Sequence, residues 1–180
     1  MRWSEFAARQ PALAAIAHDQ LIGPGVVLIG TARRDNSVRI SGVEPLIMDG
    51  ELWLSIMPAS TKARDLYRDP RILVHSIITG PCPQAEIMVR GTVRAQTAGE
   101  VQRRYAAAVE AHLGWRPVPG EFTLLTVDIS DVTYIGHDAA NAQHVARWPA
   151  GEEYLRRSLT PTTLGPPEPV HRLLAHSGPA

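Results

Sequence analysis

The sequence predicts a mostly β protein: an antiparallel barrel of six or seven strands with peripheral helices. Three observations carry this. Short apolar or alternating runs recur along the chain, divided by turn signals such as Asp35-Asn36-Ser37 and Asp49-Gly50. Only two substantial segments, Trp3 to Leu21 and Thr97 to Leu113, repeat apolar residues at helical spacing. The motifs of parallel nucleotide-binding folds are missing: no G-x-G-x-x-G follows a strand, and no G-x-x-x-x-G-K-[ST] occurs.

The elements follow in order. Trp3 to Leu21 is alanine-rich, with Trp3, Phe6, Leu13 and Ile16 near helical spacing. Pro11 divides it into two short helices, the second with proline in its first turn. This reads as a helical cap over residues 1–22. Val26 to Thr31 is a continuous apolar run, expected as a strand buried on both faces. Val38 to Val43 alternates, with Val38, Ile40 and Gly42 on one face and Arg39, Ser41 and Val43 on the other. Asp49-Gly50 precedes a strand over Glu51 to Met57, so the first half reads as a three-strand meander.

A short helix follows over Thr61 to Arg68. Asp69-Pro70 stops it, because proline disfavours the helical conformation in the preceding residue. Ile72 to Val74 resumes a strand. Ala85 to Ala95 is a long strand whose Gly91 suggests a bulge or a close backbone approach. The Thr97 to Leu113 helix is capped by Gly114. Phe122 to Ile129 is a strand, extended past a kink by Val132 to Ile135, and Gln143 to Trp148 is the last. Residues 1–160 thus form one domain, and 161–180 a proline-rich, extended tail.

Composition narrows the function. Acidic and basic residues number 18 each, so no electrostatic surface for nucleic acid or membrane is expected. One cysteine, Cys82, excludes an internal disulfide framework, and its Pro-Cys-Pro loop reads as an incidental thiol. Glu5, Arg9 and Asp19 stand where a signal peptide would be apolar, so a cytoplasmic protein is expected. The seven histidines form no H-x-x-x-H or H-E-x-x-H pair, and no metal site is expected.

The chemistry concentrates at Ser60-Thr61-Lys62. A helix start carries unpaired N–H groups and about half a positive charge. Ser60 suits an N-cap, and its hydroxyl can also donate to a phosphate. Lys62 is unfavourable beside the positive end of the helix dipole, and a bound anion would relieve that conflict. The same residues also read as an ordinary capped helix with a solvated lysine.

The run from about Val26 to Ala95 resembles the FMN-binding split barrel of the pyridoxamine 5'-phosphate oxidase-like family. The matching stretches are Val38-Arg39-Ile40-Ser41, Asp49-Gly50-Glu51-Leu52-Trp53-Leu54-Ser55, Ser60-Thr61-Lys62-Ala63 with Leu66 and Asp69-Pro70-Arg71, and Glu86-Ile87-Met88-Val89-Arg90-Gly91. The wording is nearest to bacterial members of the family. The resemblance implies a homodimer with two FMN sites at the subunit interface. It assigns Arg39 to the phosphate end of the cofactor, Ser55 to a hydroxyl contact, and Ser60 and Lys62 to the phosphate turn. Ile40, Ser41, Ile56, Met57, Thr61 and Glu86 complete the expected cofactor-binding set.

The sequence departs from the oxidase in four places. Thr61 replaces an arginine of the turn, Glu44 stands at a substrate-phosphate lysine, and Glu86 replaces a flavin-contacting glutamine. The C-terminal arginine-histidine substrate motif has no counterpart. The resemblance therefore implies an FMN-dependent oxidoreductase acting on a small molecule other than the oxidase's own substrate. Its alternatives are a 5-deazaflavin-dependent reductase and a non-catalytic flavin or haem carrier.

Overall fold

The structure is a computed structural model and describes residues 1–78 and 85–170. Cys82, His171 and His176 lie outside the described residues. In chain order the elements are α1 (Trp3–Arg9), α2 (Pro11–Ile22), β1 (Val27–Ala32), β2 (Val38–Val43), β3 (Pro45–Met48), β4 (Glu51–Ile56), α3 (Thr61–Arg68), β5 (Arg71–His75), β6 (Ala85–Ala95), α4 (Gly99–Leu113), β7 (Thr123–His137), β8 (Gln143–Trp148), β9 (Glu152–Arg156), β10 (Ser158–Thr160), β11 (Thr163–Leu164) and β12 (Glu168–Pro169).

One antiparallel sheet dominates. Its path runs β12-β9-β8-β7-β6-β5-β1-β2, and β4 branches from β7 to carry β3. The fold is mostly β with few helices, as in a split barrel. The expected meander is corrected. β2 does not pair with β4; β1 takes β2 and β5 as its neighbours. The Asp49-Gly50 turn instead joins β3 to β4, with Asp49 and Gly50 both at positive φ. Pro45-Leu46-Ile47-Met48 was too short an apolar run to declare itself as a strand.

Cross-strand register fixes which side chains share a face. Ser41, Ile29, Val74, Val89, Val132 and Trp148 form one row of the inner face. All but the half-buried Ser41 join the main core with Phe6, Leu13, Ala17 and Leu21 of the N-terminal helices. Phe6 sits between Trp3 and Trp148 at ring-centroid distances of 5.6 and 5.4 Å. Burying each such ring contributes roughly 2–3 kcal/mol. β1 is not buried on both faces as its composition suggested, because Leu28 is 37% exposed. On the far side, α4 sets Tyr105 and Val109 against Trp53, Phe122 and Leu124, a second, smaller core.

Gly91 is a close approach. The ladder between β6 and β7 shifts between Arg90 and Gly91, where Arg90 pairs with Asp131 and Gly91 with Ile129, leaving Ser130 as the extra residue. This bulge, within a continuous β7, is the kink the sequence suggested. Beyond Trp148, the chain adds β9, and residues 158–164 form a hairpin. β12 then pairs with β9, so the start of the proline-rich stretch is tied to the sheet. Among the described residues no helix is long and apolar enough to cross a membrane.

Candidate functional site at the start of α3

The first turn of α3 is built as its sequence dictates. Ser60 is extended, and its hydroxyl accepts the Ala63 N–H at 3.2 Å. That bond leaves the hydroxyl proton free to donate outward. The N–H groups of Thr61 and Lys62 have no partner among the described residues, and no acidic residue occupies the first turn. Lys62 reaches across to β2, where Nζ donates to the Gly42 carbonyl at 2.9 Å. β2 ends the sheet on that side, so the lysine ties α3 to the edge strand. One of three ammonium protons is used. Burial pushes the Lys62 pKa below its ordinary value, a shift that a nearby anion would reverse.

Arg39 projects from the inner face of β2, opposite Thr31. Its Nε donates to Asp65 Oδ2 at 2.7 Å, and the Thr31 hydroxyl donates to the same oxygen at 3.3 Å. Arg68 approaches Asp65 Oδ1 at 3.5 Å. Asp65 is 5% exposed, and the Arg39 hydrogen bond holds its carboxyl below the ordinary carboxylate value. Arg39 is thereby fixed in direction, with its terminal amino groups unspent among the described residues.

Two clefts flank this turn. One, of 550 Å³, lies where the end of β2 faces the end of β4. Gly42, Val43, Glu44, Ser55, Met57 and Lys62 line it, and Ile56 forms part of its floor. The other, of 520 Å³, lies between α3 and the β1–β2 turn, and both Arg39 and Thr61 open into it. Met57 is 70% exposed, so it lines a cleft rather than filling the core. Ser60 caps the helix between the two clefts. Ser41 sits between Arg39 and Val43 on the inner face.

Ile40 and Glu86 do not join this constellation. Ile40 is on the outer face of β2 and is 68% exposed. Glu86 is on the outer face of β6, one position from inward-facing Ile87, and its carboxylate is 3.7 Å from His75 Nε2. A single chain cannot bring them to the cleft that holds Lys62. Among the described residues no group of three or more potential metal ligands converges.

Two participants escaped the sequence reading. Asp65 is one turn beyond Thr61, on the α3 face that turns toward Arg39; among the charges of that helix nothing marked it as buried. Tyr105 comes from α4, fifty residues beyond Ser55 in the chain. Its phenol is 2% exposed and hydrogen-bonds Ser55. Burial pushes its pKa up to about 12, with the Glu44 carboxylate adding to the rise and the Ser55 bond opposing it. Only tertiary packing brings these residues together.

Known proteins share this architecture. A Clostridium acetobutylicum protein related to general stress protein 26 superposes with TM-score 0.59 at 16% identity, covering 78% of this chain and 97% of its own. An F420 reductase gives TM-score 0.52 at 14% identity, covering 64% of this chain and 94% of its own. A haem-binding protein from Mycobacterium smegmatis gives 0.53 at 15%, with 72% of this chain matched to 55% of that one. At such identities the likeness shows the fold alone. No curated protein matches by sequence. A family model described as Pyridoxamine 5'-phosphate oxidase matches residues 14–136, and the chain belongs to that family.

Proposed function

We propose that the protein is a homodimeric oxidoreductase that holds a phosphate-bearing flavin where β2 faces β4. The observation that carries this reading is the placement of two clefts on either side of one helix start. Along β2, Arg39 and Val43 are four residues apart, roughly 13 Å. An elongated ligand with an acidic end and a flat ring fits that span. Thr61 and Lys62 N–H groups, the Ser60 hydroxyl and Arg39 would take the phosphate. Gly42 to Glu44 and Ser55 to Met57 would meet the ring.

A bound flavin supplies hydride exchange at its N5. The chain's own residues orient it and keep water away. The buried Tyr105 phenol stands beside Ser55 and would help to orient its hydroxyl. The exposed Glu44 and Met57 leave one side open to a small substrate.

The second subunit is part of the reading. The outer face of β2 and β1 shows Val38 at 71%, Ile40 at 68% and Leu28 at 37% exposure, beside Glu86 and His75 on the same sheet. A copy of the chain packed there would bury this apolar surface and bring its Glu86 near a neighbour's flavin. The protein is expected to be a dimer by light scattering at micromolar concentration. Ile40→Glu is expected to convert it to a monomer, and a dimer that survives this change would place the interface elsewhere.

A 5-deazaflavin cofactor would use the same contacts, and absorbance of the loaded protein separates the two. Among the described residues no histidine lines either cleft, so a haem carrier has less support. Lys62→Ala is expected to weaken FMN binding by about 1.5–3 kcal/mol, the range for a charge-assisted hydrogen bond. Fluorescence titration reads this directly, and equal affinities would remove the lysine from the site.

A further inference from the structure

We propose that the arginine-lined cleft between α3 and the β1–β2 turn binds a second anionic group, so that a ligand with anionic groups beyond the one phosphate at the turn is held more tightly than a monophosphate. The proposal rests on the cofactor reading only in assigning both anionic groups to one ligand. Three arginines carry it. Arg33 and Arg34 come from the β1–β2 turn and Arg64 from α3, and all three line the same 520 Å³ cleft. None of their side chains makes a hydrogen bond or ion pair among the described residues. Arg64 lies three residues beyond Thr61, on the same helix face.

The two carboxylates of the cleft neutralise them only in part. Asp65 is committed to Arg39 and Arg68. Asp35 is held by the backbone N–H and hydroxyl of Ser37, the latter at 2.6 Å. The Arg33 charge acts on Asp35, so a chain with no net charge has placed one partly offset guanidinium group and two more, unpaired among the described residues, around one concavity. Guanidinium groups suit phosphate and carboxylate oxygens because their paired N–H donors match them two at a time. Lys62 lines the other cleft, on the opposite side of the helix start, so the arginines form a second basic surface distinct from that of the lysine. The chemistry recognised is a diphosphate-like or multiply carboxylated extension of the ligand.

Calorimetric titration with inorganic phosphate and inorganic tripolyphosphate at constant ionic strength tests this. The expected result is tripolyphosphate binding at least tenfold more tightly than phosphate. The triple variant Arg33→Gln, Arg34→Gln, Arg64→Gln should lose at least tenfold toward tripolyphosphate and less than twofold toward phosphate. These side chains make no hydrogen bond or ion pair among the described residues, so a nearly unchanged melting temperature is expected to accompany the loss. Equal binding of the two anions, or a triple variant that keeps its tripolyphosphate affinity, would overturn the proposal and leave solvated arginines. Tighter binding of a short single-stranded oligonucleotide through the same arginines would also overturn it. Failure of FMN to bind, with tripolyphosphate still held by the arginines, would sink the cofactor reading and leave this one standing.

Discussion

Gly91→Ala is expected to destabilise the protein by about 3 kcal/mol or more, the range for overpacking against unyielding atoms. A Cβ at this position would lie 2.2 Å from the Asp128 carbonyl oxygen and 3.0 Å from its carbon. Both are backbone atoms of β7, so no side chain can rotate away. The contact sits at the bulge where β6 and β7 change register. Relief would require prising apart the longest strand pair in the sheet, which also carries Val89 and Val127 of the core. Urea denaturation measures the loss. A change under about 1 kcal/mol would show that the bulge yields and that the glycine is not required by the close approach.

Asp65→Ala is expected to cost about 2–3 kcal/mol, toward the lower end for breaking an ion pair because Arg39 stays partly solvated. It would leave Arg39, Arg68 and the buried Thr31 hydroxyl without their shared acceptor. Asp65→Asn, similar in volume, should recover part of the loss by keeping an acceptor oxygen. The charge also sets a pH dependence. The folded-state pKa of Asp65 lies below its ordinary value of 3.8, with the Arg39 hydrogen bond as the main cause. Its contribution is therefore fully present above about pH 4 and is lost as pH falls through the depressed folded value. The wild type should lose stability more steeply below pH 4 than Asp65→Asn does. Parallel curves for the two proteins would mean that the carboxylate contributes no charge-dependent stability.

Local chemistry was legible in the sequence. Ser60 as cap, Pro70 as terminator, Gly114 as a C-cap and Gly91 as a close backbone approach each follow from one residue's own constraints, and the structure shows all four. Long-range pairing was not. Nothing in Val38–Val43 states that β1 and not β4 is its neighbour, because alternation fixes a face and not a partner. Alternation also leaves open which face turns inward: here the apolar Val38 and Ile40 turn outward, and Arg39 and Ser41 take the inner face. An alternating strand with an arginine on its inner face makes sense only once Asp65 is placed behind it. The candidate site was legible at its helix start, where three adjacent residues carry the signal. Its walls come from β2, the end of β4 and the loop before β1, and the chain gives no sign that these meet.

Native mass spectrometry after incubation with excess FMN and desalting tests the two-subunit cofactor site most directly. The site described above predicts a dimer carrying two FMN molecules, with Lys62→Ala retaining the dimer and losing the ligand. A monomer that holds one FMN, or a dimer that takes up none, would contradict it.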